Sequence, residues 1–150
     1  MATKQVIQIN RLQENLPAIR KIAGWRAVDL GALLGVTKQS ISNLETQKSK
    51  ITLMQYVAIR HMIDYQIQKQ PDNKALAQIV PLLLDDASQT DEEYAKVRAA
   101  AEEIANAAAA GVSDGILNTI SEKLLSKSKT GQAADWTAAI MTGIDEHDTK

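Results

Sequence analysis

The stretch GWRAVDLGALLGVTKQSISNLE, Gly24–Glu45, is divided by turn signals into two short amphipathic segments. Its pattern predicts one helix over Val28–Leu34, a break at Gly35, and a second helix with Thr37 as its N-cap, because a threonine hydroxyl can accept a hydrogen bond from a first-turn N–H. Gly31 is expected where the two helices approach closely. The apolar positions that would face the core are Leu30, Leu34, Val36, Ile41 and Leu44.

The second predicted helix divides sharply into two faces. At 100° per residue Ile41 and Leu44 fall on one side, which we expect to be buried. The opposite side carries amides and hydroxyls without an acid, and such groups can hydrogen-bond base edges and phosphates. An ordinary solvated face is the alternative, although solvated faces usually mix glutamate with lysine. The polar residues are Gln39, Ser42, Asn43 and Thr46, flanked by Lys38 and Ser40.

A pattern typical of a known DNA-binding family is formed by Leu16, Ile19, Arg20, Ala23, Gly24, Leu30, Leu34 to Val36, Ile41 to Glu45, and the later segment ITLMQYVAI. Through these residues, the range 16–64 resembles the lambda-repressor-like, Xre-type helix-turn-helix domain. The resemblance implies an all-α bundle that places the helix starting at Thr37 in the major groove. Gln39 and Asn43 would then read base edges. Thr37, Lys38, Ser40 and Ser42 would mainly hold the domain on phosphates.

The chain departs from this family at two places near the expected interface. Ala27 stands where the family commonly has a phosphate-anchoring glutamine, and we name the neighbouring Arg26 as the candidate that takes over that contact. Thr46-Gln47 stands where the family often has a basic residue and glycine. In the polar loop that follows, Lys48 and Lys50 are candidate phosphate contacts, and a plain solvated loop is the alternative.

Composition and charge favour a helical protein with one basic half. The chain of 150 residues is 45% hydrophobic but only 3% aromatic, with no Phe and no Cys. An aliphatic, alanine-rich core suits helices, and the lack of cysteine excludes disulfides and thiolate chemistry. Residues 1–65 hold nine Lys/Arg against four Asp/Glu, whereas residues 66–150 hold eight against fourteen, a balance of +5 and −6. We expect only the N-terminal half to meet phosphate.

Signals along the rest of the N-terminal half predict further helices. Asn15-Leu16-Pro17 predicts the start of the first helix, since proline fits a first turn. For residues 1–10 the sequence is compatible with three alternatives: a short strand, a basic arm, or a lead-in to that helix. Thr52-x-x-Gln55 predicts a capping box for the next long helix. His61 within it has no neighbouring ligand, so we assign it a structural role.

The run Lys69-Gln70-Pro71-Asp72-Asn73 predicts a linker, which divides the chain into a DNA-binding domain, 1–68, and a helical oligomerisation or partner-binding region, 69–150. After it we expect either a kinked helix or two short helices around Pro81. Thr90-x-x-Glu93 predicts a helix to about Ala110, and Ser113-Asp114 begins another. The helix that begins at Thr90 has a heptad seam, which the sequence leaves open as either a dimer interface or an intrachain contact: Tyr94, Val97, Ala101, Ile104 and Ala108. A last periodic segment has Ala133, Trp136, Ile140 and Ile144.

The sequence therefore predicts a cytoplasmic, sequence-specific transcription regulator, more specifically a repressor, that binds double-stranded DNA as a homodimer. The alternative is an antitoxin-like or adaptor protein whose acidic C-terminal helices bind a protein partner. An enzyme is not expected, because the sequence has no glycine-rich phosphate loop and no histidine pair at metal spacing. We expect no cofactor and no metal, and treat the acidic tail DEHDTK as solvated.

Overall fold

A single long helix, α1 (Lys4–Ala23), is the element onto which the rest of the chain packs. The computed structural model describes residues 4–86, 88–126 and 136–141. Within these ranges the chain is all helical and has no strand, which confirms the predicted all-α class. The further helices are α2 (Ala27–Leu34), α3 (Lys38–Glu45), α4 (Leu53–Lys69), α5 (Lys74–Val80) with a π-helical turn Pro81–Asp85, α6 (Asp91–Ala109), α7 (Asp114–Leu125), and residues 136–141 as α8.

The prediction that the first helix begins near Pro17 is wrong. Pro17 lies inside α1, which starts at Lys4, so residues 4–10 are helical. A proline in a helix interior costs roughly 3 kcal/mol, because it lacks an N–H and its ring meets the preceding turn. Leu12 and Leu16, which precede it, are almost fully buried. Their burial, worth about 1.5–3 kcal/mol each, offsets that cost.

The predicted seam on α6 is used inside the chain. Val97, Ala101 and Ile104 are buried, and α6 lies against α1. Polar contacts fix the same pair of helices: the Tyr94 hydroxyl donates to Glu14 at 2.8 Å. Arg98 also pairs with Glu14, at 2.9 Å. Of the two alternatives for this seam, intrachain packing is therefore the one observed.

The predicted linker is an anchored turn. It follows the last residue of α4, Lys69, and ends at Asn73, which is the N-cap of α5. Asn73 is buried, and its amide donates to the Ile22 carbonyl of α1 at 2.9 Å. One continuous hydrophobic core includes residues from both sides of this turn. The functional division at residue 68 stays a prediction.

Several capping signals are confirmed. Thr52 with Gln55 and Thr90 with Glu93 each form the reciprocal capping box predicted for them. Pro81 follows α5 and opens the π-helical turn, which continues into Asp85. Of the last periodic segment, Trp136 and Ile140 lie in α8. Ala133, Ile144 and the acidic tail fall outside the described residues. None of the described helices has the length and apolarity to cross a membrane.

Candidate nucleic-acid interface

The turn between α2 and α3 brings these two short helices into close contact. Gly35 ends α2 in the left-handed region, at φ +71°, which glycine adopts without a steric cost. The Val36 N–H then donates to the Gly31 carbonyl at 2.8 Å. A Cβ at Gly31 would lie 2.7 Å from the Val36 carbonyl oxygen, so the close approach predicted for Gly31 is to the turn that leads into α3.

The N-terminus of α3 is fixed by the predicted cap. Thr37 has extended backbone, and its hydroxyl oxygen accepts from the Ser40 N–H at 3.0 Å. The hydroxyls of Thr37 and Ser40 also lie 3.0 Å apart and bond to each other. Both residues are thus committed to the helix start, and their mutual bond uses the proton of one hydroxyl, so the proton of the other stays available for an outside acceptor such as a phosphate oxygen.

Gln39 and Asn43 meet on the exposed face of α3. The Gln39 side-chain amide donates to the Asn43 carbonyl oxygen at 3.0 Å, one helical turn apart. This bond leaves the Gln39 carbonyl oxygen as an acceptor and the Asn43 amide as a donor. Ile41 and Leu44, on the other face, are buried as predicted. The helix therefore offers an acceptor from Gln39 and amide N–H donors from both residues, on side chains that restrain each other.

The remaining polar side chains of α3 form the borders of that face. Lys38 and Thr46 are exposed, and Ser42 is half-buried. The Thr46 hydroxyl donates to the Ser42 carbonyl at 2.8 Å, which closes the last turn. Glu45 is the acid of α3, and it faces α1 instead of this surface: Arg20 donates to it at 2.6 and 3.1 Å. The exposed side of α3 thus carries no negative charge.

The Arg20–Glu45 pair also holds α3 in place. Both side chains are largely shielded, and Arg20 donates in addition to the Trp25 carbonyl at 3.0 Å. These are two of the residues on which the sequence resemblance depends. A bidentate arginine–carboxylate pair fixes direction as well as distance, so the C-terminal turn of α3 is tied to α1.

Arg26 is exposed but already has an anionic partner. Its guanidinium donates to both carboxylate oxygens of Asp29 at 3.1 Å, across the first turn of α2. The hydrogen bond from Arg26 holds the pKa of Asp29 below its ordinary value, and the same bond raises the pKa of Arg26. Asp29 also accepts from the Arg26 backbone N–H, at 2.8 Å. Arg26 thus lies at the start of α2 with its charge balanced by Asp29.

The loop after α3 brings Lys48 and Lys50 to the surface, and both are exposed. Lys50 donates to the side-chain carbonyl of Asn10 on α1, at 2.9 Å. Gln47 adopts φ +62°, in the left-handed region that favours glycine. This is the position where the sequence departs from the glycine of its family resemblance, and here the backbone keeps the conformation that a glycine would adopt easily.

Gln13 and Asn10 make contacts that could not be predicted from the sequence. Gln13 is buried, and its amide donates to the carbonyls of Leu44 at 3.0 Å and Ser49 at 2.6 Å. Its carbonyl oxygen accepts from the Ile51 N–H at 3.1 Å. No local pattern marks these residues, because the bonds connect positions more than thirty apart in the chain.

A second missed cluster lies on the buried side of α4. Arg60 and Asp85 form a bidentate pair at 2.7 and 2.8 Å, with side chains only 2% and 4% exposed. Trp136 of α8 lies over the guanidinium at 5.3 Å and donates its indole N–H to Asp64 at 2.8 Å. The ring of Tyr56 meets Trp136 edge to face. These contacts join α4, the π-helical turn and α8.

The outward side of α4 carries an apolar surface, which we call the α4 patch. It is a shallow groove of about 600 Å³, and Met54 on it is 83% exposed. His61 lies on this surface and is exposed, so its imidazole is outside the core, and the structural role assigned to it from the sequence stays a prediction. The α4 patch comprises Leu53, Met54, Val57, Ala58, His61 and Met62.

Comparison of the chain with protein-family models, with curated proteins and with solved structures gives no match. Among the residues that the structure describes, no group of three or more histidine, aspartate or glutamate side chains could hold a metal ion. The candidate interface is formed by α2, α3 and the loop after them.

Proposed function

We propose that this protein is a sequence-specific regulator of transcription that binds double-stranded DNA through a helix-turn-helix formed by α2 and α3. The single observation that carries the proposal is the Gln39–Asn43 pair on the acid-free, exposed face of α3. A glutamine or asparagine amide can bond the N6 and N7 edge of adenine in the major groove. A cytoplasmic location and a repressor action are parts of this proposal.

α3 is fixed at both ends, which supports a role in the recognition of base edges. Thr37 caps its start, and Glu45 ties its last turn to Arg20. A recognition element needs such rigidity, because loss of side-chain freedom on binding lowers affinity. Lys38 and Lys48 add exposed positive charge beside the amide pair. We assign Lys38, Lys48, Lys50, Thr37, Ser40 and Ser42 to phosphate contacts, and Arg26 to a phosphate contact that requires release from Asp29.

The test selects DNA from a random duplex pool with the whole protein and measures fluorescence anisotropy on the enriched sequence and on the unselected pool. The variant Gln39→Ala/Asn43→Ala should lose about 1–3 kcal/mol per base contact on the enriched sequence only. Gln68→Ala/Asn106→Ala is the matched control, because both amides are exposed and lie outside α3. If no sequence is enriched, or if both double variants behave alike, the proposal is overturned.

The homodimer belongs to the same proposal, but we place its interface on a different surface from the α6 seam considered in the sequence. The α6 seam is packed against α1, so we place the second copy on the α4 patch, which starts three residues after Lys50. A patch of six residues is far smaller than the 20–30 per side of a stable interface. We therefore expect two copies to pair on adjacent half-sites and to separate without DNA.

Light scattering with and without the enriched duplex tests this pairing. Met54→Glu should abolish cooperative binding to paired half-sites while it leaves the affinity for one half-site unchanged. Ile116→Glu is the control, since Ile116 is a similarly exposed apolar residue of α7. One bound copy per paired site, in wild type, would exclude the dimer.

A second candidate function is that of an antitoxin-like or adaptor protein, because α7 exposes two large apolar side chains. Ile116 is 58% exposed and Leu124 is 37% exposed, in a half of the chain that is net acidic. Such a surface would fit a basic protein partner. Ile116→Glu would then abolish capture of that partner, whereas Met54→Glu would not.

A further inference from the structure

The N-terminal half of α1 reaches the loop that follows α3. This half precedes residue 16, where the family resemblance begins. Gln13 bonds three backbone groups of the segment that leaves α3, namely the carbonyls of Leu44 and Ser49 and the N–H of Ile51. The span between Leu44 and Ile51 contains both lysines of the loop. A single buried side chain thus closes the loop at its two ends.

The loop conformation requires such a support. Gln47 is held at φ +62°, which a residue with a Cβ adopts at a cost. The neighbouring N–H groups of Lys48 and Ser49 both point back to the Asn43 carbonyl, at 2.9 and 3.2 Å. Without Gln13 the carbonyl of Ser49 would lose its bond, and the loop could exchange among other conformations.

Asn10, one turn before Gln13, holds the end of the loop at the surface. Its side-chain carbonyl accepts from the Lys50 ammonium at 2.9 Å. An ammonium has three protons, so two stay available for phosphate oxygens. Together with Gln47 and Glu14, these residues line a polar groove of about 370 Å³ between α1 and the loop.

We propose that Gln13 is a positioning residue for DNA binding, which sets the loop lysines Lys48 and Lys50 against the phosphates, with Asn10 orienting Lys50. The inference rests on the proposed function, and it names α1 residues outside the resembling segment as part of the binding machinery. Gln13 itself is buried and touches no DNA. Its effect passes through the backbone of the loop.

The salt dependence of binding separates this role from a merely structural one. Each phosphate contact contributes about 0.9 to the slope of log K against log salt on duplex DNA. Gln13→Met removes the three bonds at similar side-chain size and leaves the net charge unchanged. If Lys48 and Lys50 lose their contacts to DNA phosphates, the magnitude of the slope of log K against log salt should fall by about 1–2. The affinity should fall by about 5- to 20-fold near 100 mM salt. A residue that only stabilises the fold would move neither quantity well below the melting temperature.

The experiment measures anisotropy of the whole protein on a mixed-sequence duplex and on the selected duplex, between about 50 and 200 mM salt. Wild type, Gln13→Met, Lys48→Ala/Lys50→Ala and the triple variant form a double-mutant cycle. In the background without both lysines, Gln13→Met should change the affinity less than about two-fold. Circular dichroism melts of each variant verify that the protein is folded at the assay temperature.

Asn10→Ala is the second variant, because an exposed side chain can be shortened without a cavity. It should reduce the affinity about two-fold, and that loss should vanish in the Lys50→Ala background. Unchanged salt slopes for Gln13→Met, or an equal loss with and without the lysines, would overturn the positioning role while DNA binding itself stands. Absence of selective binding by wild type would overturn both this inference and the proposed function.

Discussion

Breaking the buried pair between Arg60 and Asp85 should cost more stability than removal of any exposed charge. Both side chains are almost fully enclosed, and the guanidinium makes two short bonds to the carboxylate. Removal of one partner leaves the other charge buried and uncompensated, which costs about 3–5 kcal/mol. For a chain of this size each kcal/mol corresponds to about 2–4 °C. Asp85→Asn should therefore lower the melting temperature by about 6–20 °C.

The two single variants should differ in their pH dependence. Burial already raises the pKa of Asp85, although Arg60 opposes the rise. In Arg60→Met that opposition is gone, so the folded state binds a proton more readily than the unfolded chain does. The free energy of unfolding should then rise as the pH falls through the raised pKa. Asp85→Asn should show no such recovery, because the guanidinium keeps its proton throughout.

The assay is urea denaturation followed by circular dichroism, at several pH values between neutral and mildly acidic. The double variant Arg60→Met/Asp85→Leu should recover most of the loss, since an apolar pair of similar volume leaves no buried charge. Lys96→Met is the control, because its pair with Glu92 is exposed and should shift the melting temperature by less than about 2 °C. If both single variants stay within about 1 kcal/mol of wild type, or if the double variant is worse than either, the reasoning is refuted.

Three further changes address the interface and its support. Gly31→Ala places a Cβ 2.7 Å from the Val36 carbonyl, so denaturation should show a loss of about 1–3 kcal/mol; a gain, as helix propensity alone predicts, would contradict the close approach. Asp29→Asn keeps an acceptor for the start of α2 but releases the Arg26 guanidinium, and the slope of log K against log salt should steepen by about 0.9; an unchanged slope would show that Arg26 meets no phosphate. Burial raises the pKa of Tyr56, so the folded state holds that proton more tightly, and the unfolding free energy should decline as the pH rises beyond about 10. Tyr56→Phe should flatten this decline, and equal declines in both proteins would rule out that origin.

The parts of the fold that local chemistry determines could be predicted from the sequence. Thr37 caps α3 and Gly35 ends α2 because hydroxyl geometry and a left-handed backbone act over a few residues. The same holds for the capping boxes at Thr52 and Thr90. The buried and exposed sides of α3 also follow from helical periodicity alone, so the sequence itself predicts that Gln39 is exposed and Ile41 is buried.

What could not be predicted depends on contacts between distant parts of the chain. The rule that proline starts helices is local, and at Pro17 it is overridden by core packing of the residues before it. Gln13 looks like any polar helix residue, and only the return of the chain after α3 gives its amide three partners. The partner of Arg60 is twenty-five residues away, in a π-helical turn that no pattern indicated.

The bond between Trp136 and Asp64 has a consequence for how this protein is made. The two residues are separated by 72 positions in the chain. At about 5–20 residues per second, a ribosome needs roughly 4–14 seconds to add that interval. During this time α4 has been synthesised, yet the indole that covers its arginine does not exist. Even after Asp85 is made, 51 positions before Trp136, roughly 3–10 seconds of synthesis pass in which the nascent chain lacks the indole that lies over the Arg60 guanidinium in the folded protein.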